Sequence, residues 1–565
     1  MIAPPDPSHP IVEVDDLSVR FGPDGPPVLK GISFVLNRGE CLALVGESGS
    51  GKSVLSRTLV GLAGHDARVG ARRLRLNGED LTGFSEKIWR RIRGTRIGFV
   101  MQDALGSLDP LRPVGREIGE PLRLHTQLKL RERDQKAVDL LRSVGVPEAE
   151  LRAAQYPHQL SGGLRQRALI ASAIACNPEL LIADEPTTAL DTTVQAHILG
   201  LLESLRSRRA AMLVISHDLA VVARLADRVA VMREGRIVEH GSMYAVLNCP
   251  RHPYTRSLLD AHAAVHARSA HLTRTHVPAP RDAEASSAGL LHRSDDFRGS
   301  NGPLLRARGL FKSFAGPGFT RRTAVSDVTF ALHPGQALGI VGESGSGKTT
   351  TARIVLGLEE PDKGTVEWWG RNWRFLSHRE QRAERRRVQV IFQDPLASFD
   401  PRYTVARLIH EALEVAGHDS RKTTRARAIE LLNLVRLDES YLPRRPIEMS
   451  GGQRQRIAIA RALAPEPEVL ICDEPVSALD VSVQVQILDL LADLKERLGL
   501  ACLFISHDLG VIYRVCDRVI VMKDGQVVES GAVRQVFDDP QHACTRALIN
   551  AIPRIETRDR QPVSA

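Results

Sequence analysis

Short, unbroken apolar runs recur along the chain, each ending in Gly, Asp or Ser: Cys41–Val45, Leu180–Ala183 and Ala211–Ile215, then Ala337–Val341, Val469–Cys472 and Ala501–Ile505. Runs of four or five residues without polar alternation predict strands of a parallel sheet covered on both faces, with ligands at the carboxyl ends. From about Pro110 to Gln159, and again from about Pro401 to Glu448, apolar positions take helical spacing, as in AVDLLRSVGV and AIELLNLVRL. The pattern therefore predicts an α/β core carrying an inserted helical subdomain, and it predicts this twice.

The duplication extends to the polar motifs. GESGSGKS (Gly46–Ser53) returns as GESGSGKT (Gly342–Thr349), and LSGGLRQR (Leu160–Arg167) as MSGGQRQR (Met449–Arg456). ADEPTTALD (Ala183–Asp191) returns as CDEPVSALD (Cys472–Asp480), and ISHDL (Ile215–Leu219) as Ile505–Leu509. Four motifs in one order at nearly one offset mark a duplicated domain. The expected division is 1–262, a tether over 263–303, and 304–565. The tether contains THVPAPRDAEASSAG, whose Pro, Ala and Ser without periodicity bury little.

Composition adds exclusions. With 565 residues, 43% hydrophobic and 25% charged, the chain suits two globular domains. No apolar run reaches the roughly 18 residues of a membrane span. The start, MIAPPDPSHP, has no basic region followed by an apolar stretch, so no signal peptide is expected. The seven cysteines form no CxxC pair, which suits a reducing compartment. A net charge of +9 is spread thinly and does not point to nucleic acid.

The motifs carry recognisable chemistry. A glycine-rich loop between strand and helix lets backbone N–H groups curl around phosphate oxygens, with the helix N-terminus behind them. Such loops are expected at Gly46, Glu47, Ser48, Gly49, Ser50, Gly51, Lys52 and Ser53, and at Gly342, Glu343, Ser344, Gly345, Ser346, Gly347, Lys348 and Thr349. Lys52 and Lys348 are expected to reach the β- and γ-phosphates of ATP, and the Ser53 and Thr349 hydroxyls to bind Mg²⁺. Asp184 and Asp473, ending apolar strands, are expected in the Mg²⁺ shell. The adjacent Glu185 and Glu474 are expected to be general bases for the attacking water. Gln102 and Gln393, after the strands IGFVM and VQVIF, are expected to reach both metal and water, and His217 and His507 to contact the γ-phosphate.

With SGG at Ser161, Gly162, Gly163 and at Ser450, Gly451, Gly452, the chain resembles the ABC ATPase family over nearly its whole length. The resemblance implies two P-loop nucleotide-binding domains that dimerise head to tail within the chain. Site one would then pair Lys52 and Glu185 with Ser450–Gln453, and site two Lys348 and Glu474 with Ser161–Leu164. Phe21 and Phe314 match the position where the family stacks adenine on a ring.

MQDALGSLDP (Met101–Pro110), FQDPLASFDP (Phe392–Pro401) and HPYTRSLL (His252–Leu259) resemble the peptide/nickel importer group. Departures are Ala104 for Pro, Leu164 for Gln, and HACTRALI (His542–Ile549) in the second copy. Cys249 and Cys544 do not make the cysteine cluster that some relatives carry, so no iron–sulfur centre is expected. The implied function is the ATPase subunit of an importer for di- or oligopeptides, peripheral on the cytoplasmic face of the membrane. Its implied partners are two transmembrane permease subunits and, through them, an extracytoplasmic solute-binding protein. Peptides are the expected cargo, ahead of nickel chelates, glutathione-like molecules and opines. The rival is a tandem ABC ATPase acting on ribosomes; it would bring a long, charged, helical linker, which the Pro- and Ser-rich tether is not.

Overall fold

The computed structural model describes residues 10–188, 190–206, 210–266, 302–315, 321–417, 421–477 and 479–551. They fall into two compact units, the first chiefly Met1–His262 and the second chiefly Ala263–Ser477 with Gln484–Arg546. Residues 267–301, most of the expected tether, lie outside the described residues. The helix Pro253–His266 runs a few residues past the boundary expected at 262.

In the first unit the central sheet runs, edge to edge, Arg236–Ser242, Arg228–Arg233, Cys41–Val45, Ala211–Ile215, Leu180–Asp184 and Ile97–Val100. The last five are mutually parallel, and only Arg236–Ser242 is antiparallel to its neighbour. Strand alternation feeds two cores. Leu213 and Ile215 pack on one side with Leu55, Val14, Ile32 and Leu74. Met212 and Val214 pack on the other with Ile170, Ile198 and Leu202. Because both faces are covered, the strands read as continuous apolar runs, and each fully buried Leu or Ile contributes about 1.5–3 kcal/mol.

A second, antiparallel sheet covers the first face and was not expected from the sequence. It joins Val12–Phe21 to Pro27–Leu36, Arg73–Leu76 and Ala67–Gly70, with Glu79–Asp80 beyond. The inserted helical part is present: Val114–His125, Leu130–Ser143 and Ala149–Ala154. Val114, Ile118 and Leu122 form a stripe at i, i+4, i+8 that is buried against Leu140 and Leu141 of the next helix.

The second unit repeats the plan. Its central sheet runs Val388–Ile391, Val469–Asp473, Ala501–Ile505, Ala337–Gly342, Arg518–Lys523 and Gln526–Ala532. Its antiparallel sheet joins Arg321–Leu332, Leu305–Ala315, Lys363–Trp368 and Arg371–Asn372. The helix Val405–Ala416 buries Val405, Leu408, Ile409 and Leu413. Thr404 Oγ1 caps it by accepting from the Arg407 N–H, and Gly417 at φ 93° ends it.

Candidate active site

In each unit the glycine loop leaves a central strand and enters a helix, Lys52–Leu59 or Lys348–Val355. The loop is pressed against the end of the neighbouring strand. A Cβ on Gly46 would stand 2.2 Å from the Met232 carbonyl oxygen, and one on Gly342 would stand 2.2 Å from that of Met522. Any side chain there would push the loop off the sheet. Lys52 Nζ donates to the carbonyl oxygens of Gly46 (2.6 Å) and Glu47 (2.8 Å), and Lys348 Nζ to those of Gly342 and Glu343 (2.8 Å each). Each lysine thus ties its own loop into a ring. Burial lowers the Lys52 pKa, against the pull of the Glu185 and Asp184 charges.

Asp184 ends its strand beneath the loop helix. Ser53 Oγ donates to its Oδ1 at 3.3 Å and Ser56 Oγ to its Oδ2 at 3.0 Å. Burial raises the Asp184 pKa, and the two serine hydroxyls counter it. Asp473 stands at the same strand end of the second unit, but Ala352 occupies the place of Ser56. Burial and the neighbouring Glu474 charge push Asp473 up to about 6, and only Lys348 opposes them.

The next residue turns the chain. Glu185 and Glu474 both sit at φ 49°, a left-handed conformation that costs a non-glycine residue about 1–2 kcal/mol. Their N–H groups bond the Ile215 and Ile505 carbonyls at 2.9 Å, which holds the turn in place. The Glu185 carboxylate accepts from Gln102 Nε2 at 2.8 Å and Thr188 Oγ1 at 3.0 Å, and lies 3.4 Å from His217 Nδ1. Glu474 accepts from Gln393 Nε2 at 3.0 Å and lies 3.0 Å from His507 Nδ1. Burial acts to raise both glutamates, but the facing histidine, with the lysine and a hydroxyl, holds each below the usual carboxylate range. Burial acts to lower the histidines, and the glutamates hold them above the usual imidazole value. In both units the glutamate, glutamine and histidine expected from the sequence meet around one carboxylate.

The signature residues lie elsewhere. Ser161 and Ser450 are N-caps of the helices Gly162–Ala173 and Gly451–Leu463. Gly163 faces Val194 so closely that a Cβ would stand 2.4 Å from it. Gln453 completes a capping box: its Oε1 accepts from the Ser450 N–H at 3.0 Å, and its Nε2 donates to Tyr441 Oη at 3.0 Å. Leu164 cannot do this and packs against the apolar core instead. Phe21 and Phe314 stand at strand ends and are 38% and 42% exposed. Lys312 Nζ lies 5.5 Å from the Phe314 ring centre.

Three contacts were not anticipated: Ser56 on Asp184, Thr188 on Glu185, and the Tyr254 hydroxyl on the Glu47 N–H at 3.1 Å. Thr188 lies inside the repeated DEP motif and could have been flagged by it, whereas Ser56, one helical turn past Lys52, stands outside every motif.

The ABC transporter family model matches residues 29–188 and 325–477, the spans that hold these loops and strand ends. The chain belongs to the ABC transporter family. A second model, the oligopeptide/dipeptide transporter C-terminal region, matches 238–289 and 528–564, so it recognises both the HPYTR segment and its HACTR counterpart. The chain is 43% identical over 571 residues to the glutathione import ATP-binding protein GsiA of Salmonella choleraesuis (strain SC-B67), covering 98% of this chain and 91% of that protein. It is 43% identical over 568 residues to GsiA of Escherichia coli O157:H7, and 42% identical over 572 residues to that of Pectobacterium atrosepticum, with the same coverage in both cases. This family member is an ATPase that binds ATP and works with a membrane transporter. No helix among its described residues is long and apolar enough to cross a membrane.

Proposed function

We propose that the chain is the ATP-hydrolysing subunit of an importer for short peptides of the glutathione kind. Its two units form the two composite ATP sites head to tail, within the boundaries 1–262 and 304–565 joined by a tether. It would bind two permease subunits at the cytoplasmic face of the membrane and, through them, answer to an extracytoplasmic solute-binding protein. The observation that carries the reading is the same constellation built twice: a lysine-tied glycine loop, an aspartate beneath it, and a glutamate gripped by glutamine and histidine. A degenerate partner site would lack one of these groups, and neither unit does.

Lys52 and Lys348 hold the phosphates, the loop N–H groups orient them, and Glu185 and Glu474 accept the proton of the attacking water. The left-handed turn aims each carboxylate away from its strand, and Gln102 or Gln393 fixes one of its oxygens. His217 and His507 steady the other oxygen and face the transferring phosphoryl group. Mg²⁺ suits the hard oxygen donors at these strand ends: Ser53, Asp184 and the carbonyl oxygen of Gln102 in one unit, and Thr349, Asp473 and Gln393 in the other. When bound, it would neutralise phosphate charge. Ser161–Gly163 and Ser450–Gly452 are N-terminal helix ends whose N–H groups and dipole suit a phosphate presented by the opposite unit. Phe21 and Phe314 offer ring faces to the adenine.

The glutathione-like cargo rests on relatives named for glutathione import, and the broader peptide class on the C-terminal region match. Reconstitution with the native permease and binding protein, followed by ATP hydrolysis under a panel of solutes, tests it. Stimulation by glutathione or short peptides is expected. Stimulation by nickel chelates or opines alone would overturn the cargo, and hydrolysis unchanged by any permease would overturn the transport role.

A further inference from the structure

The segment that matches the peptide-transporter C-terminal region gives the first unit's phosphate loop a hydroxyl acceptor, Tyr254, where the second unit carries Cys544. We infer that Tyr254 is a positioning residue for the first ATP site, pinning the peptide group from which Lys52 takes its main acceptor. This rests on the reading that Gly46–Ser53 hold the phosphates of ATP.

One peptide group carries both the Gly46 carbonyl and the Glu47 N–H. Lys52 Nζ donates to that carbonyl at 2.6 Å, and the Tyr254 hydroxyl accepts from that N–H at 3.1 Å. The peptide plane is therefore held from both sides, and rotating it would break both bonds. The tyrosine is itself fixed. It is buried, with 7% of its surface exposed, and the Arg233 guanidinium lies 5.0 Å from its ring centre. Its own N–H donates to His252 Nδ1 at 3.1 Å, while Glu239 accepts from the Arg251 and His252 N–H groups at 2.7 and 3.0 Å.

The second unit builds the same scaffold without the hydroxyl. Glu529 accepts from the Gln541 and His542 N–H groups at 2.8 and 3.1 Å, and His542 Nδ1 accepts from the Cys544 N–H at 3.1 Å. Cys544, buried like Tyr254, thus stands where Tyr254 does, and a thiol is a weak acceptor for a backbone N–H. The backbone presentation matches in the two units, and the side chain presented differs. A loop held in its binding shape loses less freedom when the nucleotide arrives.

The test uses the full chain with Lys348→Ala, which silences the second loop, and titrates a trinitrophenyl-ATP probe with ATP as competitor. Tyr254→Phe keeps the ring and its arginine and removes only the acceptor. It should weaken ATP binding by about three- to tenfold, the worth of one such hydrogen bond, with the thermal midpoint unchanged. Tyr254→Cys, which copies the second unit, should weaken binding at least as much. Unchanged affinity in Tyr254→Phe while Lys52→Ala abolishes binding would overturn the positioning role. So would a loss of affinity matched by an equal loss of thermal stability. Binding that survives Lys52→Ala would instead overturn the phosphate-loop reading itself.

Discussion

Replacing Ala352 by Ser should stabilise the second unit, and should do so only above the pH at which Asp473 ionises. In the first unit Ser56 Oγ donates to buried Asp184 at 3.0 Å, and position 352 is the same helical site facing Asp473. Asp473 is pushed up to about 6 from an ordinary value of 3.8. An acid whose pKa is raised by folding contributes stability that is fully present below the unfolded value and is lost as pH rises through the folded one. Over the window from about 4 to about 6, the second unit therefore loses up to about 3 kcal/mol, at 1.36 kcal/mol per pKa unit. A serine hydroxyl donating to the ionised carboxylate recovers part of this, about 1–2 kcal/mol.

Scanning calorimetry of the nucleotide-free full chain between pH 3.5 and 8, buffers chosen as in any such series, reads the effect. For a domain of this size each kcal/mol moves the midpoint by about 2–4 °C. Ala352→Ser should raise the second unit's transition by several degrees at neutral pH and leave it near wild type below about pH 4. Ser56→Ala should lower the first unit's transition at neutral pH, and each variant identifies its own transition. A shift in Ala352→Ser that does not vary with pH, or a destabilisation at neutral pH, would refute the role given to the hydroxyl.

Glu185→Gln and Glu474→Gln should each cut hydrolysis at their own site by about 10²–10⁴-fold while ATP binding is retained. Single-turnover phosphate release beside nucleotide binding checks this, and unchanged turnover in the double variant would sink both assignments. Gln453→Leu, which copies Leu164, removes the capping box and the bond to Tyr441. It should cost the second unit about 1 kcal/mol in thermal unfolding and slow hydrolysis only a few-fold, whereas an unchanged midpoint would deny the cap any weight.

The parallel strands were legible to the residue at Cys41–Val45, Ala211–Ile215 and Ala501–Ile505, because burial on both faces leaves no polar position to blur their ends. The antiparallel sheets were not. Val12–Phe21 breaks its alternation at register shifts between Val14, Leu17, Val19 and Arg20, so VEVDDLSVRF shows no clean period of two. The candidate site positions stood out because the chain prints them twice. What escaped was the layer behind them. Ser56 belongs to no motif, and Tyr254 was legible only as a mark of family, since its contact depends on the fold returning a segment 207 residues away to the loop.

That hidden layer is also where the two halves differ, and the differences do not scatter. Ser56 against Ala352 sets how firmly the strand-end aspartate is held, and Tyr254 against Cys544 sets how firmly the loop peptide is held. Gln453 against Leu164 sets how well the signature helix is capped. On the proposed head-to-tail pairing, Lys52 and Glu185 share a site with Ser450–Gln453. Ser56, Tyr254 and Gln453 then all serve site one, and Ala352, Cys544 and Leu164 all fall to site two. The residues proposed to act directly on ATP and water are present in both, so both sites should hydrolyse. Site one, better held at these three positions, should bind ATP more tightly and set the pace of closure. Trapping nucleotide in the Glu185→Gln, Glu474→Gln chain and assigning it to each loop would read this directly, and more nucleotide at the Lys348 loop than at the Lys52 loop would reverse the ranking.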